Sequence, residues 1–121
     1  AYVDRYATDL PAAIELVHRA GGVAVLTHPW ARGRRGDLDE AYLTELVNGY
    51  GLDGVELDHP DHDADTRREL AAVAGRLGVF MTGASDYHGL GKTANPLGVE
   101  TTRQEVFAAV VRRIRARGGI V

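Results

Sequence analysis

Gly22-Val23-Ala24-Val25-Leu26-Thr27-His28-Pro29 is the stretch whose reading decides the fold. Val23 to Leu26 is a continuous aliphatic run, the pattern of a strand covered on both faces and not the alternation of a half-solvated one. It stops on a histidine and a proline. The arrangement recurs: Gly54-Val55-Glu56-Leu57 leads into Asp58-His59-Pro60-Asp61-His62, and Val79-Phe80-Met81 opens into Thr82-Gly83-Ala84-Ser85-Asp86-Tyr87-His88-Gly89. Helical signals separate these runs. Asp39 can cap a helix with Leu43, Leu46 and Val47 on its apolar face, stopped by Gly49 and Gly51. Asp63 or Asp65 can cap another that runs roughly to Arg76, with Leu70, Val73 and Leu77 pointing inward. The alternation predicts an α/β fold: three to four parallel strands, right-handed crossovers and flanking helices.

The flanks are read from the same signals. Tyr2 to Asp9 is polar and irregular, and Thr8 and Asp9 ahead of Pro11 make an N-cap and first turn for a helix over Ala12 to Ala20, ended by Gly21 and Gly22. Ala31 to Asp37, with Arg32, Arg34 and Arg35 among Gly33 and Gly36, has loop composition, as do residues 89–98. Val99 to Thr101 reads as a short fourth strand. Val106, Val110, Val111 and Ile114 recur at helical spacing in a final helix that ends at Gly118.

Composition narrows the function classes. The chain has 121 residues, 14 Lys+Arg against 17 Asp+Glu and a net charge of −3, so no global field favours nucleic acid or membrane. It has no cysteine, which excludes disulfides, thiolate metal sites and a Cys nucleophile, and fits a reducing cytoplasm. No apolar run approaches the roughly 18 residues that cross a bilayer, and the first residues lack a basic region and an apolar stretch. The expectation is one α/β unit over residues 1–121, cytoplasmic and without a membrane partner.

Four of the five histidines, His28, His59, His62 and His88, lie just past the strand runs. In parallel α/β folds ligands gather at the carboxyl ends of strands, so distant segments can deliver side chains to one site. Imidazoles and a carboxylate collected there point to a divalent metal. Asp86 and His88 flank one residue, and in extended chain such positions face the same side. Pro29 restricts His28 to extended geometry and removes the next backbone donor. His59 and His62 bracket a turn before a helix N-terminus, with Glu56 three residues earlier; they serve either as ligands or as general acids toward a phosphoryl oxygen, and a capped turn is the bland alternative. Arg32, Arg34 and Arg35 are candidates for holding phosphate, though such a loop is more often simply solvated. His18 is read as a surface residue, and Arg112, Arg113, Arg115 and Arg117 as complements to a helix dipole. There is no Gly-x-Ser-x-Gly elbow, Walker loop or dinucleotide fingerprint.

The ordered motifs at His28-Pro29, Glu56 to His62 and Asp86-Tyr87-His88, spanning roughly residues 11–100, resemble the carboxyl-terminal part of PHP (polymerase and histidinol phosphatase) proteins, closest to bacterial phosphoesterases acting on nucleotides and short RNA. The resemblance implies part of a distorted (β/α) barrel with up to three divalent ions, Mn, Zn or Fe. It implies His28, Asp86 and His88 as metal ligands and places His59 and His62 near the metals; a role for Glu56 is the weakest of these implications. The family's amino-terminal His-x-His motif is absent, so the chain matches the later portion of the barrel and lacks more than half of the metal cage. The resemblance therefore implies a metal-dependent hydrolase of phosphate esters, nucleotides or short oligonucleotides, in the intact parent, with little activity in these 121 residues alone. The alternative is a noncatalytic module with structural histidines, used for assembly or regulation. Strand edges exposed by the missing half would favour self-association.

Overall fold

The computed structural model describes the backbone of residues 2–89 and 95–121 and the side chains of residues 9–89 and 95–121. Helix α1 (Tyr2–Arg19) leads to strand β1 (Val25–Leu26), and a 3-10 turn at Arg34–Gly36 precedes α2 (Glu40–Tyr50). Strand β2 (Gly54–Asp58), α3 (Ala64–Leu77), β3 (Phe80–Gly83) and α4 (Gln104–Ala116) follow. The strands form one parallel sheet in the order β1-β2-β3, so both connections made by α2 and α3 are crossovers between neighbours. The α/β fold is as the alternation predicts.

The central elements follow from local chemistry. The Asp39 carboxylate accepts the Tyr42 amide and starts α2; the Asp63 carboxylate does the same for Thr66 and starts α3. Gly51 and Gly78 end these helices at φ of 74° and 69°, the left-handed conformation in which a Cβ is costly. Leu43 and Leu46 of α2 and Leu70 and Val73 of α3 are buried, with Ile14, Leu26, Trp30, Leu38, Leu52 and Val55, in one apolar cluster. Truncating a residue such as Leu46, which is fully buried, costs about 2–5 kcal/mol.

Several expectations are corrected. The opening is helical from Tyr2, and Pro11 lies inside α1 instead of starting it. Leu10, Ile14 and Val17 pack against the core across that proline, so tertiary burial outweighs the hydrogen bond it cannot donate. Strand β1 holds two residues of the four expected. Residues 99–101 form no strand; they lie along β3 through Thr102, whose hydroxyl accepts the Gly83 amide at 3.0 Å and donates to the Gly83 carbonyl at 2.9 Å. Of the loop expected over 89–98, residues 90–94 lie outside the described residues.

His18 is also not a free surface residue. Its Nε2 lies 2.9 Å from Oδ2 of Asp53, a carboxylate buried at the amino end of β2. Asp53 also accepts the Ala24 amide at 2.8 Å and both Arg117 Nη atoms at 3.0 and 2.7 Å, with Arg113 Nη1 at 3.4 Å. Two of the arginines read as dipole complements thus lock α4 onto the sheet. Burial alone would raise the Asp53 pKa, but bonds from Arg117, the Ala24 amide and His18 together hold it at about 2.

Candidate metal centre at the carboxyl edge of the sheet

The opposite edge is built by the three strand exits. Pairing of β2 with β3 runs in register from Gly54–Phe80 to Glu56–Thr82 and then jumps to Asp58–Gly83, an irregularity at the end of β2 that turns the chain into the His59 loop. Glu56 is mostly buried, and its Oε1 accepts the His28 amide at 3.1 Å, which joins the exits of β1 and β2. His28, Glu56 and His59 offer ligand atoms all within 4.8 Å of one another; so do His59, Asp61 and Asp86, and His59 is common to both groups. The His28 and His59 rings are 4.4 Å apart between centroids.

Hydrogen bonds assign different duties to the imidazoles. His62 is buried with both ring nitrogens engaged: Nδ1 donates to the Leu57 carbonyl at 2.9 Å, and Nε2 accepts the Trp30 amide at 3.2 Å. Burial lowers its pKa, with further lowering from His59, His28 and Arg67 against the opposing Leu57 bond, so a neutral ring ties two loops together. His59 is fully buried, and its Nδ1 accepts the Asp61 amide at 2.9 Å. Its proton therefore belongs on Nε2, which has no hydrogen-bond partner and lies 3.4 Å from Asp86 Oδ2. His28 Nδ1 is likewise buried and unpartnered. Buried polar atoms are paired in the great majority of cases, so two orphans facing one space mark a place for something else.

His28 and Asp86 hold backbone φ of 24° and 56°, in a region that non-glycine residues rarely occupy. The proline after His28 does not keep it extended as expected. At Asp86 the positive φ breaks the extended two-residue alternation, yet the two side chains still meet, His88 Nδ1 lying 3.5 Å from Asp86 Oδ1. The Asp86 side chain is mostly buried, whereas that of His88 is 56% exposed, with Nδ1 also 2.6 Å from the Asp86 carbonyl.

Of the three loop arginines, Arg32 reaches this edge. Its Nε and Nη2 donate to Asp61 Oδ2 at 3.1 and 3.0 Å, and Nη2 is 4.0 Å from Asp86 Oδ2. Arg35 instead stacks 4.0 Å over the Trp30 ring and pairs with Glu69, and Arg34 opens the 3-10 turn. Sequence reasoning did not single out Asp61 as a member of the cluster, although its position between His59 and His62 was the available signal.

No protein-family model matches the chain. It is 40% identical over 81 residues, 67% of its length, to a phosphoribosyl 1,2-cyclic phosphate 1,2-diphosphodiesterase of Eggerthella lenta, and 31% identical over 88 residues, 73% of its length, to a 5'-3' exoribonuclease of Haemophilus influenzae. A 3',5'-nucleoside bisphosphate phosphatase of Chromobacterium violaceum is 26% identical over 119 residues, 96% of the chain. The chain covers 29%, 32% and 40% of these relatives, respectively. A crystal structure of a protein assigned as a metal-dependent phosphoesterase, from Bifidobacterium adolescentis, superposes with a TM-score of 0.71 and 33% identity, over 93% of this chain and 37% of that one. The chain belongs to the PHP phosphoesterase family that its motifs resemble.

Proposed function

We propose that residues 1–121 form one α/β unit, the carboxyl-terminal portion of a PHP barrel, in a cytoplasmic metal-dependent phosphoesterase that hydrolyses phosphate esters of nucleotides or short oligonucleotides. No described helix is long and apolar enough to cross a membrane. The observation that carries the reading is the pair of unpartnered buried nitrogens, His28 Nδ1 and His59 Nε2, with the Glu56 and Asp86 carboxylates beside them. Structural histidines satisfy their nitrogens, as His62 does; these two do not.

The donor set fits a first-row divalent ion such as Mn, Zn or Fe, which accepts mixed imidazole and carboxylate ligation. His28 and Asp86 would hold it, with Glu56 adjacent and His88 joining through its Nε2 after a side-chain rotation. A bound ion supplies Lewis-acid polarisation of a phosphoryl oxygen and charge neutralisation. His59, with its proton on Nε2, serves as hydrogen-bond donor toward an ester oxygen, and His62 holds the loop in place. Arg32 exchanges Asp61 for a phosphate oxygen, a bidentate partner of the same geometry. Further ligands would come from the rest of such a barrel, which would pair at the outer edges of β1 and β3. Alone, the chain has little activity and a tendency to self-associate through those edges.

Titration of the chain with Co(II), followed by its visible absorption, tests the reading. The expected result is a saturable spectrum of nitrogen and oxygen ligation that Asp86→Ala and His28→Ala weaken. Identical titrations of wild type and both variants reject it.

A further inference from the structure

Arg67, in the first turn of α3, offers no ligand atom itself, yet it spans two of the three strand exits. Its Nε donates to the His62 carbonyl at 2.9 Å, and its Nη2 donates to the His59 carbonyl at 2.7 Å and to Glu100 Oε2 at 2.5 Å. Its Nη1 is 3.8 Å from Asp58 Oδ1. The Glu100 backbone is itself fastened to the β3 exit: its amide donates to Ser85 Oγ at 3.0 Å, and that hydroxyl donates to the Glu100 carbonyl at 2.9 Å. Ser85 directly precedes Asp86. One guanidinium therefore joins the His59–His62 turn to the segment that carries Asp86.

We propose that Arg67 is a positioning residue, which fixes the proton of His59 on Nε2, 3.4 Å from the Asp86 carboxylate. The link is the turn itself. His59 Nδ1 accepts the amide of Asp61, two residues on, and the His62 amide donates to the His59 carbonyl at 3.0 Å, so the ring's acceptor bond exists only while residues 59–62 keep this shape. The planar fork of Arg67 grips the carbonyls at both ends of that turn, and Glu100 holds the fork from the far side. Without the fork the turn relaxes, the Asp61 amide leaves the ring, and both tautomers of His59 become accessible. The inference deepens the proposed function, because it says what keeps the His59 donor and the Asp86 carboxylate in register, but its test does not need an ion.

The experiment is nitrogen-resolved NMR of the histidine rings in the metal-free 121-residue chain, at about pH 8 where imidazoles near their ordinary pKa are neutral. Wild type should show His59 with Nε2 at the shift of a protonated nitrogen and Nδ1 at that of an unprotonated one. In Arg67→Ala the two shifts should move toward each other. Arg67→Lys, with a single ammonium, should lie between, while the His62 ring, held by Leu57 and Trp30, reports that the fold is intact. Glu100→Gln keeps an acceptor but removes its charge, and should move His59 in the same direction by less, which covers the case in which Arg67→Ala does not fold. A folded Arg67 or Glu100 variant with the wild-type His59 tautomer overturns the proposal. Co(II) affinity, read separately, should fall about 10–100-fold in Arg67→Ala, as for other residues that orient a ligand set. Wild type without any Co(II) binding rejects the metal reading, and the tautomer result still decides the role of Arg67.

Discussion

At the amino end of β2, the Asp53 carboxylate is buried and accepts from four partners: His18, Ala24, Arg113 and Arg117. At the carboxyl end of the same sheet, buried polar atoms are held rigidly but left without partners, at His28 Nδ1 and His59 Nε2. The two ends are composed of similar residue types, and both join segments far apart in the chain. What separates them is satisfaction. A buried charge whose hydrogen bonds are complete contributes to the fold, whereas oriented atoms with none are a cost the fold bears for a ligand.

The largest effect should come from the satisfied end. Asp53→Ala leaves the His18 ring, the Ala24 amide and two guanidiniums without their shared acceptor, and should cost about 3 kcal/mol, the low end for breaking a buried ion pair because Arg113 and Arg117 are partly solvated. Urea unfolding measures this, and Co(II) titration of the same variant should match wild type. A large loss of Co(II) affinity in Asp53→Ala would show that the two ends are not independent.

Next in size is His28→Ala at the other end. Removing a ligand should cost Co(II) affinity on the order of 100-fold, more than a residue that only orients ligands. Stability should change by about 1 kcal/mol or less, since the ring's Nδ1 bonds nothing in the metal-free chain. A stability loss as large as that of Asp53→Ala would make His28 a structural residue.

The acid response of the satisfied end comes third. The folded-state pKa of Asp53 is about 2, below its ordinary value of 3.8, so its contribution is present in full above the unfolded value and is lost as pH falls through the folded one. The shift corresponds to about 2 kcal/mol, which should disappear between about pH 4 and pH 2. Urea midpoints across that window should fall more steeply in wild type than in Asp53→Asn, and parallel curves would show that the carboxylate is not held by its partners.

The same contrast explains what the sequence made legible. Helices α2 and α3 were readable because their caps, Asp39 and Asp63, and their apolar stripes are local. The parallel sheet and its crossovers followed from the alternation of strand and helix signals. The ion cluster was not readable, because Asp53 meets His18 across 35 residues and Arg117 across 64, and no local pattern encodes that meeting. Proximity of Asp86 to the histidines was foreseeable from strand ends alone. The backbone that brings it there was not, because no local pattern encodes one backbone angle, φ of 56°.

That angle gives the smallest prediction and the most discriminating one. A left-handed aspartate is tolerated but strained, and asparagine occupies the same region more readily. Asp86 is also close to Asp61, with Arg32 shared between them, so removing its charge relieves repulsion at little cost in pairing. Asp86→Asn should therefore change unfolding free energy by less than about 0.5 kcal/mol, with any change toward greater stability, while weakening Co(II) binding. Asp53→Asn, the same chemical change at the other end of the sheet, should destabilise and leave Co(II) binding alone. If the two substitutions behaved alike, the division between a satisfied end and an unsatisfied end would fail, because one atom exchanged for another would then carry the same meaning in both places.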